Sequence, residues 1–103
     1  EAAIYHYKKA TSLRANFAQP YNNLGNINKK LEKLDEAEFF YKKAISFNLK
    51  YFEAYYNLGT TLKELGRLTE AITNYKYAIK LNPKFADAHN NLGNALKEQN
   101  KIE

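Results

Sequence analysis

The chain has 103 residues, a net charge of +5 and no cysteine, methionine or tryptophan. This length accommodates one small domain, the lack of cysteine excludes disulfides and thiolate metal sites, and no apolar run is long enough to cross a bilayer as a helix. Nothing at the start of the chain is typical of a secretion signal, so we expect a cytoplasmic protein.

The apolar residues recur at three- and four-residue steps and predict six helices. In chain order these helices span about 1–13, 18–31, 36–48, 52–65, 70–82 and 86–99. Short turns separate them, so consecutive helices are expected to be antiparallel, and the fold class is all-α.

Turn residues support these boundaries. Gly66 can adopt positive φ at a helix end, whereas Glu32 occupies the equivalent place one period earlier, where positive φ is costly. Asp35 and Thr69 are predicted to cap the helices that follow these two turns. Pro83 cannot continue the fifth helix.

A period of 34 residues runs through the whole chain. Shifting the sequence by 34 positions gives 28 identical residues among the 69 overlapping pairs, without a gap. The tripeptide Asn-Leu-Gly, for example, recurs at 23–25, 57–59 and 91–93. A gapless repeat of this length indicates a solenoid, in which each unit completes its core by stacking on its neighbours.

These repeats resemble the tetratricopeptide repeat over the full chain. In the unit 52–85 the family's signature positions read Tyr55, Leu58, Gly59, Leu62, Ala71, Tyr75, Ala78 and Pro83. The resemblance implies a right-handed alpha-alpha superhelix with a second helix at 1–17, full repeats at 18–51 and 52–85, and a first helix at 86–103. The phrase at 91–98 is particularly similar to the repeats of the O-linked N-acetylglucosamine transferase superhelix.

The resemblance also implies that the first helix of each unit lines a concave groove that receives an extended peptide or partner segment. The predicted groove residues are Asn22, Asn23, Asn26, Lys29, Tyr56, Asn57, Thr60, Lys63, Asn90, Asn91, Asn94 and Lys97. Seven of these twelve residues are asparagine, which is unfavourable at ordinary exposed helix positions. Its carboxamide offers a donor and an acceptor, as a peptide backbone does.

The row Asn23, Asn57 and Asn91 has two interpretations. These residues match an asparagine ladder in the transferase superhelix, which implies backbone-directed peptide contacts. They can also hydrogen-bond across neighbouring units without any ligand. Lys29, Lys63 and Lys97 form a lysine row in the groove, which would favour acidic side chains on a peptide.

Other functions remain as alternatives. The terminal helices can self-associate head to tail, with Tyr7 of one copy against Leu92 of another. The basic balance and the recurring Lys8, Lys42 and Lys76 suggest nucleic acid, but interspersed acids favour a solvated face. The chain can also be a substrate-recruiting part of a larger glycosyltransferase.

Catalysis by the chain itself is not expected. His6 and His89 are the only histidines, and each is isolated in its helix. No metal site, phosphate-binding loop or activated nucleophile is recognisable. We therefore predict no enzymatic activity, no cofactor and no metal.

Overall fold

The computed structural model describes the backbone of residues 2–102 and the side chains of residues 16–101. This part of the chain contains five α-helices and no strand: α1 (Ala2–Lys30), α2 (Leu34–Phe47), α3 (Phe52–Glu64), α4 (Leu68–Leu81) and α5 (Ala86–Ile102). Each helix packs against the next, and α3 also contacts α1 and α5. The molecule is elongated, 56 × 29 × 20 Å. The predicted all-α repeat architecture is confirmed.

The predicted break near residue 14 is wrong, because the first two expected helices form one continuous helix, α1. Asn48 and Asn82 end α2 and α4 with extended φ values of −145° and −139°. The equivalent residue one period earlier is Arg14, which is followed by Ala15. Both are strong helix formers, so nothing here ends the helix. Residues 2–102 therefore form five helices in place of the six expected.

The prediction of a second helix over residues 1–17 rested on three side chains that lie outside those the structure describes. These are the side chains of Ala3, Tyr7 and Ala10. Their backbone is helical and belongs to α1.

The turns that follow α1 and α3 share one geometry. Gly66 has φ of 81°, which confirms the prediction, and Glu32 also has positive φ, 61°, in spite of the cost for a residue with a side chain. The next residue donates its backbone N–H to a carbonyl five residues back, Lys33 to Asn28 at 2.8 Å and Arg67 to Leu62 at 2.9 Å. This is the Schellman arrangement, which satisfies the last carbonyls of each helix. Glu32 carries the steric cost of the left-handed conformation that Gly66 avoids.

The predicted N-caps are wrong. α2 and α4 begin at Leu34 and Leu68, so Asp35 and Thr69 lie inside the first turn, and neither N-cap residue makes a side-chain capping bond. The Schellman geometry explains this, because the residue that closes the preceding helix directly precedes the new one. Asp35 still favours the helix start electrostatically, since its carboxylate lies near the positive end of the helix dipole.

Two tyrosines form the centre of the core. Tyr41 and Tyr75 are fully buried and occupy equivalent positions on α2 and α4. Gly25 and Gly59 on the partner helices leave room for them, because a Cβ at either glycine would lie within 3.0 Å of the tyrosine ring. The absence of a side chain thus lets each helix pair approach closely, and this holds the first helix of each unit in register.

Candidate functional site

The twelve predicted groove residues lie on α1, α3 and α5, the three helices that begin successive units. We call the surface formed by residues 22–29, 56–63 and 90–97 the first-helix surface. The exposed residues among the twelve are Asn23, Asn26, Asn90, Asn94 and Lys97, and the half-buried ones are Lys29, Tyr56, Asn57, Thr60, Lys63 and Asn91. Only Asn22 is buried.

Asparagines on this surface connect neighbouring units. The Asn57 side-chain amide donates to Asn22 Oδ1 at 3.2 Å, and the Asn91 amide donates to the Tyr56 hydroxyl at 3.0 Å. The second bond is the first one displaced by a full period. The structure therefore gives Asn57 and Asn91 an inter-repeat contact without any ligand. Each carboxamide keeps an oxygen and a second N–H that these bonds do not use.

Asn23 differs from its two equivalents. Its side chain is exposed and makes no hydrogen bond to other residues in the described part of the chain. The same holds for Asn90 and Asn94 in α5. The carboxamides of Asn23, Asn90 and Asn94 offer both donor and acceptor groups on the first-helix surface.

A second periodic hydrogen bond ties the first-helix surface to the core. The Tyr41 hydroxyl donates to Asn26 Oδ1 at 2.5 Å, and one period later Tyr75 and Thr60 hydroxyls lie 3.0 Å apart. Burial, with a further contribution from the Glu64 carboxylate, raises the pKa of Tyr41 to about 12. Its hydroxyl thus stays protonated at neutral pH and fixes the Asn26 side chain, with the carboxamide nitrogen left for other partners.

The lysine row is partly balanced by glutamates on the next first helix. Lys63 Nζ lies 3.5 Å from Glu98 Oε1, so the glutamate partly neutralises the charge of this lysine. Burial lowers the pKa of Lys29, and the attraction of Glu64, one period before Glu98, acts in the opposite direction. Lys97 is exposed and has no ion pair within the described residues.

An open depression of about 540 Å³ lies beside this lysine row. It is lined by Asn26, Lys29, Lys30, Glu32 and Glu64. Its mixture of cations, anions and a carboxamide suits a polar peptide segment better than an apolar side chain. Among the described residues, no three His, Asp or Glu side chains lie close enough to hold a metal ion.

The sequence did not reveal an ion-pair network between units. Glu38 accepts hydrogen bonds from Lys42 at 2.7 Å and Arg67 at 2.8 Å, and Arg67 also pairs with Glu70. Burial opposes ionisation of Glu38, but these hydrogen bonds dominate and lower its pKa. The residues one period from Glu38 are Ile4 and Ile72, so the repeat pattern gives no signal for the network.

Helix pairs of constant length and shared turn geometry, stacked with equivalent residues aligned, define a helical-repeat protein. The chain matches the tetratricopeptide repeat family over residues 1–32 and 60–100, with further matches at 18–51 and 40–73. The chain belongs to this family. Tetratricopeptide repeats serve as protein-interaction scaffolds and generally bind proteins or peptides.

Solved structures share the fold. Two crystal structures of MamA are 30% identical in sequence, with TM-scores of 0.79 and 0.78 over 81% of this chain. This chain spans about half of theirs, 48% and 45%. The tetratricopeptide domain of Arabidopsis OM64 superposes with a TM-score of 0.82 at 23% identity, covering 85% of this chain and 73% of that domain. No curated protein matches the chain. No helix in the described residues is long and apolar enough to span a membrane.

Proposed function

We propose that the chain binds an extended peptide, or an extended segment of a partner protein, along the first-helix surface. The proposal rests on three exposed asparagines, Asn23, Asn90 and Asn94, whose side chains make no hydrogen bond to other residues in the described part of the chain. Asparagine weakens a helix at such positions, so a ligand that uses both its donor and its acceptor accounts for its presence. The chain thus acts by binding and not by catalysis.

The spacing of the units supports an extended ligand. Packed helix axes are typically about 8–10 Å apart, and a polyproline II chain advances about 9.3 Å in each turn of three residues. Such a peptide would turn the same side towards α1, α3 and α5 in succession. One carboxamide per unit can then meet an equivalent backbone group each time, largely independently of the peptide's sequence.

Both interpretations of the asparagine row fit into this proposal. Asn57 and Asn91 each use one N–H to bridge neighbouring first helices. This contact holds the side chain in one orientation, so less conformational entropy is lost when a ligand binds the carboxamide oxygen. Among the described residues Asn23 makes no side-chain hydrogen bond, so its donor and acceptor groups are both open to a ligand.

A selection experiment tests the proposal. A displayed library of random peptides about twelve residues long, enough to cross three units at roughly 3.1 Å per residue, is enriched on the purified chain. Affinities of the enriched peptides are measured by calorimetry for the chain and for Asn23→Ala. Loss of a hydrogen bond worth about 1 kcal/mol should weaken binding about fivefold.

The matched control is Lys76→Ala on α4, away from the first-helix surface, which should leave affinity unchanged. Failure to enrich any peptide would contradict the proposal. So would peptides that bind equally well after Asn23, Asn57 and Asn91 are all changed to Ala. Binding of an oligonucleotide with a steep salt dependence would instead favour a nucleic-acid partner.

A further inference from the structure

One face of α1 exposes a continuous apolar stripe. Phe17, Leu24, Ile27 and Leu31 are 54%, 40%, 54% and 60% exposed. Their spacing of seven, three and four residues places them on one side of the helix. We call these four residues the α1 stripe.

Equivalent positions in the next units are covered. Leu58 corresponds to Leu24 and is 3% exposed, and Thr61 corresponds to Ile27 and is fully buried. In those units the second helix of the preceding unit packs against the first helix, α2 against α3 and α4 against α5. The α1 stripe lacks such cover because the chain before it continues straight on as α1.

Residues 2–13 have a sequence that fits a helix covering the α1 stripe. It carries Ala3, Tyr7 and Ala10 at the positions of Ala37, Tyr41 and Ala44, which are fully buried where α2 packs. The segment thus has the small-large-small pattern of a second helix. Because the backbone of 2–30 is one helix, this segment does not fold back onto the stripe of its own chain.

The junction between this segment and the stripe has the properties of a hinge. Pro20 lies inside α1, where it lacks the N–H for the carbonyl of residue 16 and costs about 3 kcal/mol. One period later Ala54 lies in the first turn of α3, a place that tolerates proline. Pro20 therefore suits a helix that begins just before it, while Arg14 and Ala15 favour a continuous one.

We propose that two copies of the chain exchange residues 2–13, each segment covering the α1 stripe of the other copy. The two α1 helices run antiparallel about a two-fold axis near residue 16, so that residues 2–13 of one lie over 18–31 of the other. A helix of 29 residues is about 43 Å long, long enough for both contacts. The contact is isologous and closes as a dimer, as in domain swapping.

This dimer differs from a head-to-tail contact through α5. It uses the same surface on both copies and stops at two chains, whereas head-to-tail contact continues into a filament. It rests on the exposure of the α1 stripe and not on the asparagines, so it does not depend on the proposed peptide binding.

The test uses the full chain and light scattering coupled to size exclusion, from low to high micromolar concentration. The expected mass is twice the 11.9 kDa of one chain. The chain has no cysteine, so single cysteines can be placed cleanly. Asn16→Cys lies near the two-fold axis and should give a covalent dimer with a short bis-maleimide. Lys101→Cys at the far end of α5 should not.

A turn-restoring variant provides the matched comparison. Arg14→Asn with Ala15→Pro copies Asn82 and Pro83, which follow α4, and should let residues 2–13 fold back onto their own α1. This variant should run as a monomer with unchanged helicity by circular dichroism. Leu96→Asp on α5 should leave the dimer intact. If the turn variant does not fold, the Asn16→Cys cross-link decides.

A monomer at all concentrations would overturn the proposal. A measured mass that rises above that of the dimer with concentration would also overturn it, as would a monomer mass for Leu96→Asp. Both results point to contact through α5. A dimer that persists in the folded turn variant, or that gives no cross-link at residue 16, would also overturn it.

Discussion

Changing each helical glycine to alanine should have opposite effects at equivalent positions. An ideal Cβ at Gly25 would lie 2.5 Å from Tyr41 Cε1 and 2.6 Å from Cδ1, and one at Gly59 would lie 2.9 Å from the Tyr75 ring. At Gly93 no atom lies within 4 Å. The added methyl group therefore meets a tight contact at Gly25, a moderate one at Gly59 and open space at Gly93.

The magnitudes follow from two opposing effects. Replacing glycine by alanine inside a helix gains about 1 kcal/mol from propensity, while overpacking a core costs typically about 1–3 kcal/mol. Tyr41 is fully buried and hydrogen-bonded to Asn26, so its ring has little freedom to move. Gly25→Ala should destabilise by about 2 kcal/mol, whereas Gly93→Ala should stabilise by up to about 1 kcal/mol. Gly59→Ala should fall between them.

Urea denaturation followed by circular dichroism at the helix band measures these differences. The expected order of midpoints is Gly93→Ala, the parent chain, Gly59→Ala and Gly25→Ala, with similar slopes. Equal stabilisation by Gly25→Ala and Gly93→Ala would mean that the tyrosines do not pack against the glycines as described.

Three further predictions concern other parts of the chain. Glu32→Gly should raise the free energy of unfolding by about 1 kcal/mol by removing left-handed strain, and Gly66→Glu should lower it similarly; denaturation of both variants checks this. The lowered pKa of Glu38 adds stability that is present above its ordinary value of 4.5 and is lost as pH falls through the folded value. Glu38→Gln should therefore melt earlier at neutral pH and show a shallower loss of melting temperature in acid. Asn57→Ala and Asn23→Ala both gain helix propensity, but only Asn57→Ala breaks the bridge to Asn22. Asn57→Ala should therefore be about 1 kcal/mol less stable than Asn23→Ala, which thermal melting of the two variants checks.

The 34-residue period predicted most of the fold because it carries the packing information. The burial of Tyr41 and Tyr75 follows from positions that recur. Glu32 adopts the same left-handed turn as Gly66, although its residue type disfavours that conformation. Periodicity was less informative where the repeat changes its turn residues. Arg14 and Ala15 replace the residues that end α2 and α4, and there the helix runs on.

The surface was predicted less completely than the core. The sequence identified the asparagine row and offered bonds across neighbouring units as one interpretation, but it did not identify the partners of Asn57 and Asn91, which lie 35 positions earlier. Such pairs depend on the distance between stacked units, which no single helix specifies. The Glu38–Arg67 pair was missed for a different reason, since it occurs once and leaves no trace in the repeat.

The most direct test of peptide binding along the first helices is a nuclear magnetic resonance titration of the isotope-labelled chain with a peptide enriched in the selection above. We expect shifts of the side-chain amide signals of Asn23, Asn57 and Asn91, one in each unit. Signals from α4 around Lys76 and Lys80 should stay in place. Shifts confined to α2 and α4, with the three asparagine signals unmoved, would contradict it.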